Sequence, residues 1–219
     1  MKFYALCFAL LLSLPVFAQL AVTSSLKSYK NSVKAHPDKE LIDIKKAIPD
    51  ITLDIRYATT NNFMKEVMYP EARAFARKPV VAQLKKIQAA LRKQGYGLKI
   101  YDAYRPYAIT VAFYEKASNK NFVANPAKGS KHNRGCAVDL TLIDYQSKEE
   151  IKMPTPYDSF SPAAAADYKN LSPQVIRNRD FLIKTMQAHG FRVLSNEWWH
   201  YDFIGWQRYE LLDIPFKSL

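Results

Sequence analysis

The sequence predicts a single α+β domain, a mainly antiparallel central sheet flanked by helices, with its candidate site on the sheet. Three observations carry this. Two stretches repeat apolar residues at helical spacing, and several short segments read as strands. The side chains best suited to chemistry fall in or beside two of those strands. A chain of 219 residues suits one domain with a sizeable core, and 48% apolar residues is ordinary for a globular protein.

The first 18 residues read as a secretory signal. Lys2 gives the positive start, Ala5 to Leu14 is apolar, Pro15 ends the run, and Val16-Phe17-Ala18 offers small residues for cleavage after Ala18. The apolar stretch is shorter than the ~20 residues of a membrane helix. A secreted, periplasmic protein with no membrane span after cleavage is therefore expected. Cys7 lies inside the apolar run, away from the cut, which does not suit lipid attachment. Cleavage leaves Cys136 as the sole cysteine, so no intrachain disulfide can form. Flanked by Gly135 and Ala137, Cys136 reads as a small buried filler.

Residues 19–45 are expected to form an N-terminal arm, because Leu20 to Pro37 is polar and without periodicity. The main domain then occupies residues 46–219. Ile51 to Tyr57 alternates, with Ile51, Leu53, Ile55 and Tyr57 on one face, and predicts a half-buried strand that ends at the Thr59–Asn62 loop. Pro79 to Gln94 predicts a helix, with Val80, Leu84, Ile87 and Leu91 as its stripe and Gly95 as its stop. Gly97 to Tyr101 is a short strand leading into Asp102-Ala103-Tyr104-Arg105-Pro106. Pro106 disfavours helix at Arg105, which places Arg105 in a loop at a strand end. A helix follows from about Tyr107 to Ala117. Ala137 to Ile143 is a strand, with Val138, Leu140 and Leu142 on its core face and Asp139 opposite them. Asp144 to Leu171 is a long irregular excursion of the kind that is functional or disordered. Ser172-Pro173 caps a helix running to His189 and stopping at Gly190, and Trp198 to Ile204 is the last strand.

The net charge of +12 is spread along the chain. It reads as a solvated basic face with weak affinity for an anionic cell wall. Nothing in the pattern resembles a zinc finger or a helix-turn-helix, and no nucleic-acid partner is expected.

Two runs carry the chemistry. Ser130 to Asp139 holds His132 and Asp139, seven residues apart, and Asn196 to Tyr201 holds Glu197 and His200. Two imidazoles, a carboxylate and an open fourth position are the donor set of a hydrolytic zinc centre. A spare Glu beside such a centre is a ready general base. Arg105 offers a permanent, planar cation for an oxygen that becomes negative during amide hydrolysis. Taken separately, each piece also reads as ordinary structure: a surface histidine near a turn, an aromatic core strand, an arginine beside a loop. A straight strand sends Glu197 and His200 to opposite faces, so both serve one metal only if the chain bends at Glu197.

Taken in order, these pieces resemble the D-alanyl-D-alanine dipeptidases, the family that includes the VanX-type vancomycin-resistance enzymes. The resemblance runs from about Leu53 to about Phe203. It is carried by Asp-Ile-Arg-Tyr-Ala-Thr-Thr-Asn-Asn-Phe from Asp54, by Asp102 to Pro106, Ser130 to Leu142, Met153 to Asp158 and Glu197 to His200. It implies one zinc per subunit held by His132, Asp139 and His200, with Glu197 as catalytic base and Arg105 stabilising the transition state. It also implies that Tyr57 and Asp158 hold a substrate ammonium group and that Ser130 lies near the substrate carboxylate. Cys136 departs from the family by standing where Ser is expected, and Pro154 and Pro156 stiffen the loop before Asp158.

The expected function is zinc-dependent hydrolysis of D-alanyl-D-alanine to two D-alanines, in cell-wall peptide turnover. A long peptide would leave the Asp158 carboxylate buried and unpaired, which is costly, so a small dipeptide is the expected partner. Two further readings stand beside it: a D,D-carboxypeptidase or peptidoglycan endopeptidase of the same superfamily, and a non-catalytic zinc-containing wall-binding protein. Glu197 argues against the last, because a binding module needs no base.

Overall fold

The computed structural model describes residues 20–117 and 120–219, and the expected signal with its cleavage point lies outside them. In chain order the elements are β1 (Val22–Thr23), α1 (Leu26–Ala35), β2 (Leu41–Asp43), α2 (Ile44–Ala47), β3 (Thr52–Leu53), β4 (Phe75–Arg77), α3 (Lys78–Arg92), β5 (Tyr96–Asp102), α4 (Tyr107–Lys116), β6 (Ala137–Asp144), α5 (Pro173–Gln187), β7 (Phe191–Leu194), β8 (Glu197–Phe203) and β9 (Leu211–Leu212). The central sheet has the order β3-β5-β6-β8-β7, antiparallel except for β3 on β5. The predicted mainly antiparallel α+β architecture is the one found. Among the described residues no helix is long and apolar enough to cross a membrane.

The helices form where their apolar stripes demand burial. In α3, Val80, Leu84, Ile87 and Leu91 are fully buried, and the face they make packs against β5. Gly95 follows with φ +80, a left-handed stop that costs glycine nothing. Ser172 Oγ accepts from Val175 N–H at 3.4 Å to cap α5, which buries Val175, Leu182 and Met186 and packs on β7. Burying each such aliphatic side chain is worth ~1.5–3 kcal/mol. Strand β6 lies at the centre of the sheet and is buried on both faces from Ala137 to Ile143, so a partly polar strand becomes core by position.

Two expectations are corrected. The described residues of the stretch expected to be an N-terminal arm, 20–45, pack into the domain. Ser25 caps α1, Tyr29 is buried and its hydroxyl accepts from Leu41 N–H at 2.7 Å, β1 pairs with β9, and β2 pairs with β4. Leu41 and Ile44 belong to the main core, so no boundary falls at residue 45. The second correction concerns Ile51 to Tyr57. Its alternation is right, with Ile51, Ile55 and Tyr57 buried, but the paired strand is only Thr52–Leu53. After Asp54 N–H donates to Ile100 O the chain turns into a short 3-10 helix, Arg56–Ala58, whose Tyr57 carbonyl accepts from Met68 and Tyr69 N–H. The sheet loses the chain there, and Tyr57 is delivered to the site from a turn.

Candidate active site

Three neighbouring strands of the sheet set the site. Asp139 on β6 is the direct partner of His200 on β8. On the other side the β5 ladder skips a residue: Ile100 pairs with Leu140, and Asp102 pairs with Asp139. This bulge leaves Tyr101 without a partner and puts Asp102 opposite Asp139. Asp102, Asp139 and His200 therefore line up across the sheet.

His132 reaches the same place from a one-turn 3-10 helix, His132–Arg134, that ends at Gly135 with φ +67. A Cβ at Gly135 would sit 2.6 Å from Leu41 Cδ2 and would strain the positive φ, so glycine suits this turn. The turn is tied to the Asp102–Pro106 segment. Arg105 N–H donates to His132 O at 3.1 Å, and Asn133 Nδ2 donates to Arg105 O at 2.9 Å. Ser130 contributes as well: its Oγ accepts from His132 N–H at 3.2 Å.

The donor atoms converge. His132 Nε2, Asp139 Oδ1 and His200 Nδ1 lie 3.2, 3.4 and 3.0 Å from one another. A tetrahedral ion with ligand bonds of ~2.0–2.1 Å requires donor atoms separated by about 3.3 Å. Both imidazoles are fixed with the inner nitrogen free. His132 Nδ1 donates to Ala103 O at 2.7 Å, and His200 Nε2 donates to Asp202 Oδ1 at 2.9 Å. Such outer partners are what orient metal-binding histidines. Asp139 Oδ1 is buried and has no hydrogen-bond partner, an orphan that a cation would satisfy. The cluster calls for positive charge at its centre. Burial opposes a charged His200, but Asp139 and Asp202 outweigh it and carry its pKa up to about 10. Against the same burial, the two imidazoles hold the Asp139 carboxyl far below the usual carboxylate range.

The bend that the sequence requires is present. Along the β7–β8 ladder Val193 pairs with Tyr201 and Leu194 with Glu197, so three residues of β8 bulge out of register between those pairs. Glu197 Oε2 comes within 3.8 Å of His200 Nδ1. Burial raises the Glu197 carboxyl above its ordinary value, as does the negative charge of Asp139, while His200 pulls it back down.

Arg105 is buried, with Nε and Nη2 both on Asp102 Oδ2 at 3.1 and 2.6 Å. Burial works against its charge, but Asp102 outweighs that and the guanidinium stays protonated. Tyr69 donates to the other Asp102 oxygen at 2.8 Å. Asp158 Oδ2 accepts from Tyr57 Oη at 3.0 Å. Asp158 holds φ +60, a left-handed conformation that costs a non-glycine residue ~1–3 kcal/mol and tends to persist at functional sites. Burial, then repulsion from Asp139, raises its carboxyl well above the ordinary range.

All eight residues singled out from the sequence (Tyr57, Arg105, Ser130, His132, Asp139, Asp158, Glu197 and His200) line one cavity of about 470 Å³. Phe63, Phe113 and Trp199 form part of its apolar wall. Cys136 is fully buried and does not line the cavity, and burial pushes its thiol up to about 12. Sequence reasoning assigned nothing to Asp102, Tyr157 or Asp202. Asp202 had a signal, since it stands two residues from His200 on the same strand face. Asp102 sits inside a quoted motif. Tyr157 Oη donates to Asp139 Oδ2 at 2.9 Å, and no spacing announces that contact.

Comparison with known proteins shows the family. A family model described as D-ala-D-ala dipeptidase matches residues 37–216. The chain is 31% identical over 178 residues to the D-alanyl-D-alanine dipeptidase of Escherichia coli, covering 81% of this chain and 92% of that protein. The protein of that name from Enterococcus faecalis is 29% identical over 174 residues, 69% of this chain and 85% of that one. The one from Streptomyces coelicolor is 29% identical over 174 residues, 70% and 86%. The matched region begins at residue 37, inside the stretch the sequence suggested was an arm.

Proposed function

This chain belongs to the D-alanyl-D-alanine dipeptidase family, and from that membership we propose that it hydrolyses D-alanyl-D-alanine to two D-alanines with one zinc ion. His132, Asp139 and His200 would hold the metal. The observation that carries the reading is the donor triangle of 3.0–3.4 Å around an orphaned buried carboxylate oxygen, with the Glu197 carboxylate 3.8 Å from one of its corners.

Bound zinc supplies Lewis-acid polarisation and lowers the pKa of a water to about 7. The chain's own residues do the rest. Glu197 takes a proton from the attacking water and returns one to the departing amine. Arg105, clamped by Asp102, presents a fixed cation to the carbonyl oxygen as it becomes negative, at no reorganisation cost during the reaction. Asp158, with Tyr57 hydrogen-bonded to it, pairs with the free ammonium of the dipeptide. Ser130 lies on the side of the substrate carboxylate. Burial and Asp139 disfavour the charged form of Asp158, and a cation placed beside it would restore that form, which favours a substrate with a free amino end over a long chain.

The test is alanine release from D-Ala-D-Ala, L-Ala-L-Ala and a wall pentapeptide by the zinc-loaded protein. Preferential release from D-Ala-D-Ala is expected. Faster cleavage of the pentapeptide would move the activity to a D,D-carboxypeptidase. The reading extends to the periplasm, where the enzyme meets wall-derived dipeptide and its basic surface has weak, salt-sensitive affinity for the anionic wall. The support for export is the signal-like segment ending at Ala18. A mature chain starting at Gln19 is expected by mass spectrometry of the native protein, and a cytosolic chain with its first residues intact would refute it.

A further inference from the structure

Tyr157 and Asp158 are adjacent but serve different partners. Asp158 accepts from Tyr57, while Tyr157 Oη donates to Asp139 Oδ2 at 2.9 Å. The Asp139 carboxylate is thereby divided. One oxygen is occupied by the phenol, and the other faces His132 Nε2 and His200 Nδ1 with no hydrogen bond of its own. We propose that Tyr157 is a positioning residue that holds Asp139 as a one-oxygen metal ligand. This rests on the reading that Asp139, with the two histidines, binds zinc.

The phenol is well placed for that work. Its ring stacks on Tyr101 at 4.5 Å and 23°, and meets Trp199 edge-on at 5.5 Å and 74°. Tyr101 is the residue that the β5 bulge leaves unpaired, so the irregularity that brings Asp102 opposite Asp139 also frees the platform for Tyr157. The side chain is buried, 8% exposed. A carboxylate oxygen can only accept, so the phenol O–H is the donor in this contact. Occupying Oδ2 with a rigid O–H bars that oxygen from a second bond to the ion and stops rotation of the carboxylate. Outer hydrogen bonds of this kind are typically worth 10–100-fold in metal affinity.

The test is Tyr157→Phe, which keeps the ring and its stacking. Zinc affinity measured by competition with a chromophoric chelator is expected to fall about 10–100-fold. The visible spectrum of the cobalt-substituted protein should weaken, as a freed carboxylate adds a second oxygen to the coordination shell. Circular dichroism is expected to stay native. Tyr57→Phe is the matched control: it removes an equivalent hydroxyl from Asp158, should leave zinc affinity and the cobalt spectrum as they were, and should raise KM. A folded Tyr157→Phe chain with wild-type zinc affinity and an unaltered cobalt spectrum overturns the proposal. Should Tyr157→Phe not fold, Tyr157→His keeps a ring donor at that position, and its failure to retain at least part of the zinc affinity lost by Tyr157→Ala overturns it. Absence of zinc binding in the wild type would instead overturn the functional reading on which the proposal rests.

Discussion

At the residue scale the candidate site divides into groups that act and groups that aim them. Glu197 acts. Glu197→Ala should lower turnover by about 10²–10⁴-fold while zinc content, measured by metal analysis, stays near that of the wild type. Its pH signature has a definite sign. A base works when deprotonated, and burial raises this carboxyl above 4.5. The acid limb of the kcat/KM profile should therefore rise with pH through a value above 4.5, and a limb centred below it would remove Glu197 as the base. Arg105 is the proposed cation, and Asp102 sets its geometry. Arg105→Lys keeps the charge and loses the fork, so kcat should fall ~10²-fold with a small change in KM. Arg105→Ala should be different in kind. It leaves Asp102 buried without its cation, and the cost in stability, read by urea denaturation, should approach ~3–5 kcal/mol. The candidate residues that the structure gathers in one cavity were legible because the proposed chemistry restricts residue type. Tyr157 was not, because a phenol in a loop becomes a carboxylate's partner only through packing.

Among the elements, irregularities do as much as regular structure. α3 and α5 were readable from the sequence because a stripe of buried aliphatics and a glycine or serine cap are local signals. The bulge in β5 and the register break beside β8 were not localised by any sequence signal, although the need for a bend at Glu197 followed from strand geometry alone. The Ile51–Tyr57 strand was overextended because alternation reports which side chains are buried and says nothing of whether a neighbouring strand continues far enough to pair. The turn bearing His132 gives the sharpest test at this scale. Gly135→Ala puts a Cβ against Leu41 at a φ of +67, so it should destabilise by more than ~1 kcal/mol. Because the same turn holds His132, zinc affinity should fall with it, and a variant as stable and as tightly zinc-binding as the wild type would contradict the role assigned to this glycine.

Across the whole molecule, the stretch from Val22 to Ala47 is part of the domain that surrounds the site. Starting the chain at His36 removes β1 and α1, takes Tyr29 from the core and leaves β9 without its partner. Stability should drop by about 2–3 kcal/mol, seen as a thermal midpoint roughly 4–12 °C lower. Turnover at low temperature should persist, since no residue of the cavity wall lies in the deleted stretch. By itself the sequence determined the mixed α+β class and the principal helices and singled out the candidate donor set, base and arginine, because these depend on local periodicity and on which side chains can do the chemistry. Only the tertiary structure decided that the donors meet within 3.0–3.4 Å, that Asp102, Tyr157 and Asp202 contact the residues around them, and that Tyr29, Leu41 and Ile44 belong to the core. The physical reason is distance along the chain. His132 and His200 are separated by 68 residues, and their convergence rests on strand register, bulges and burial, which belong to the folded sheet as a whole.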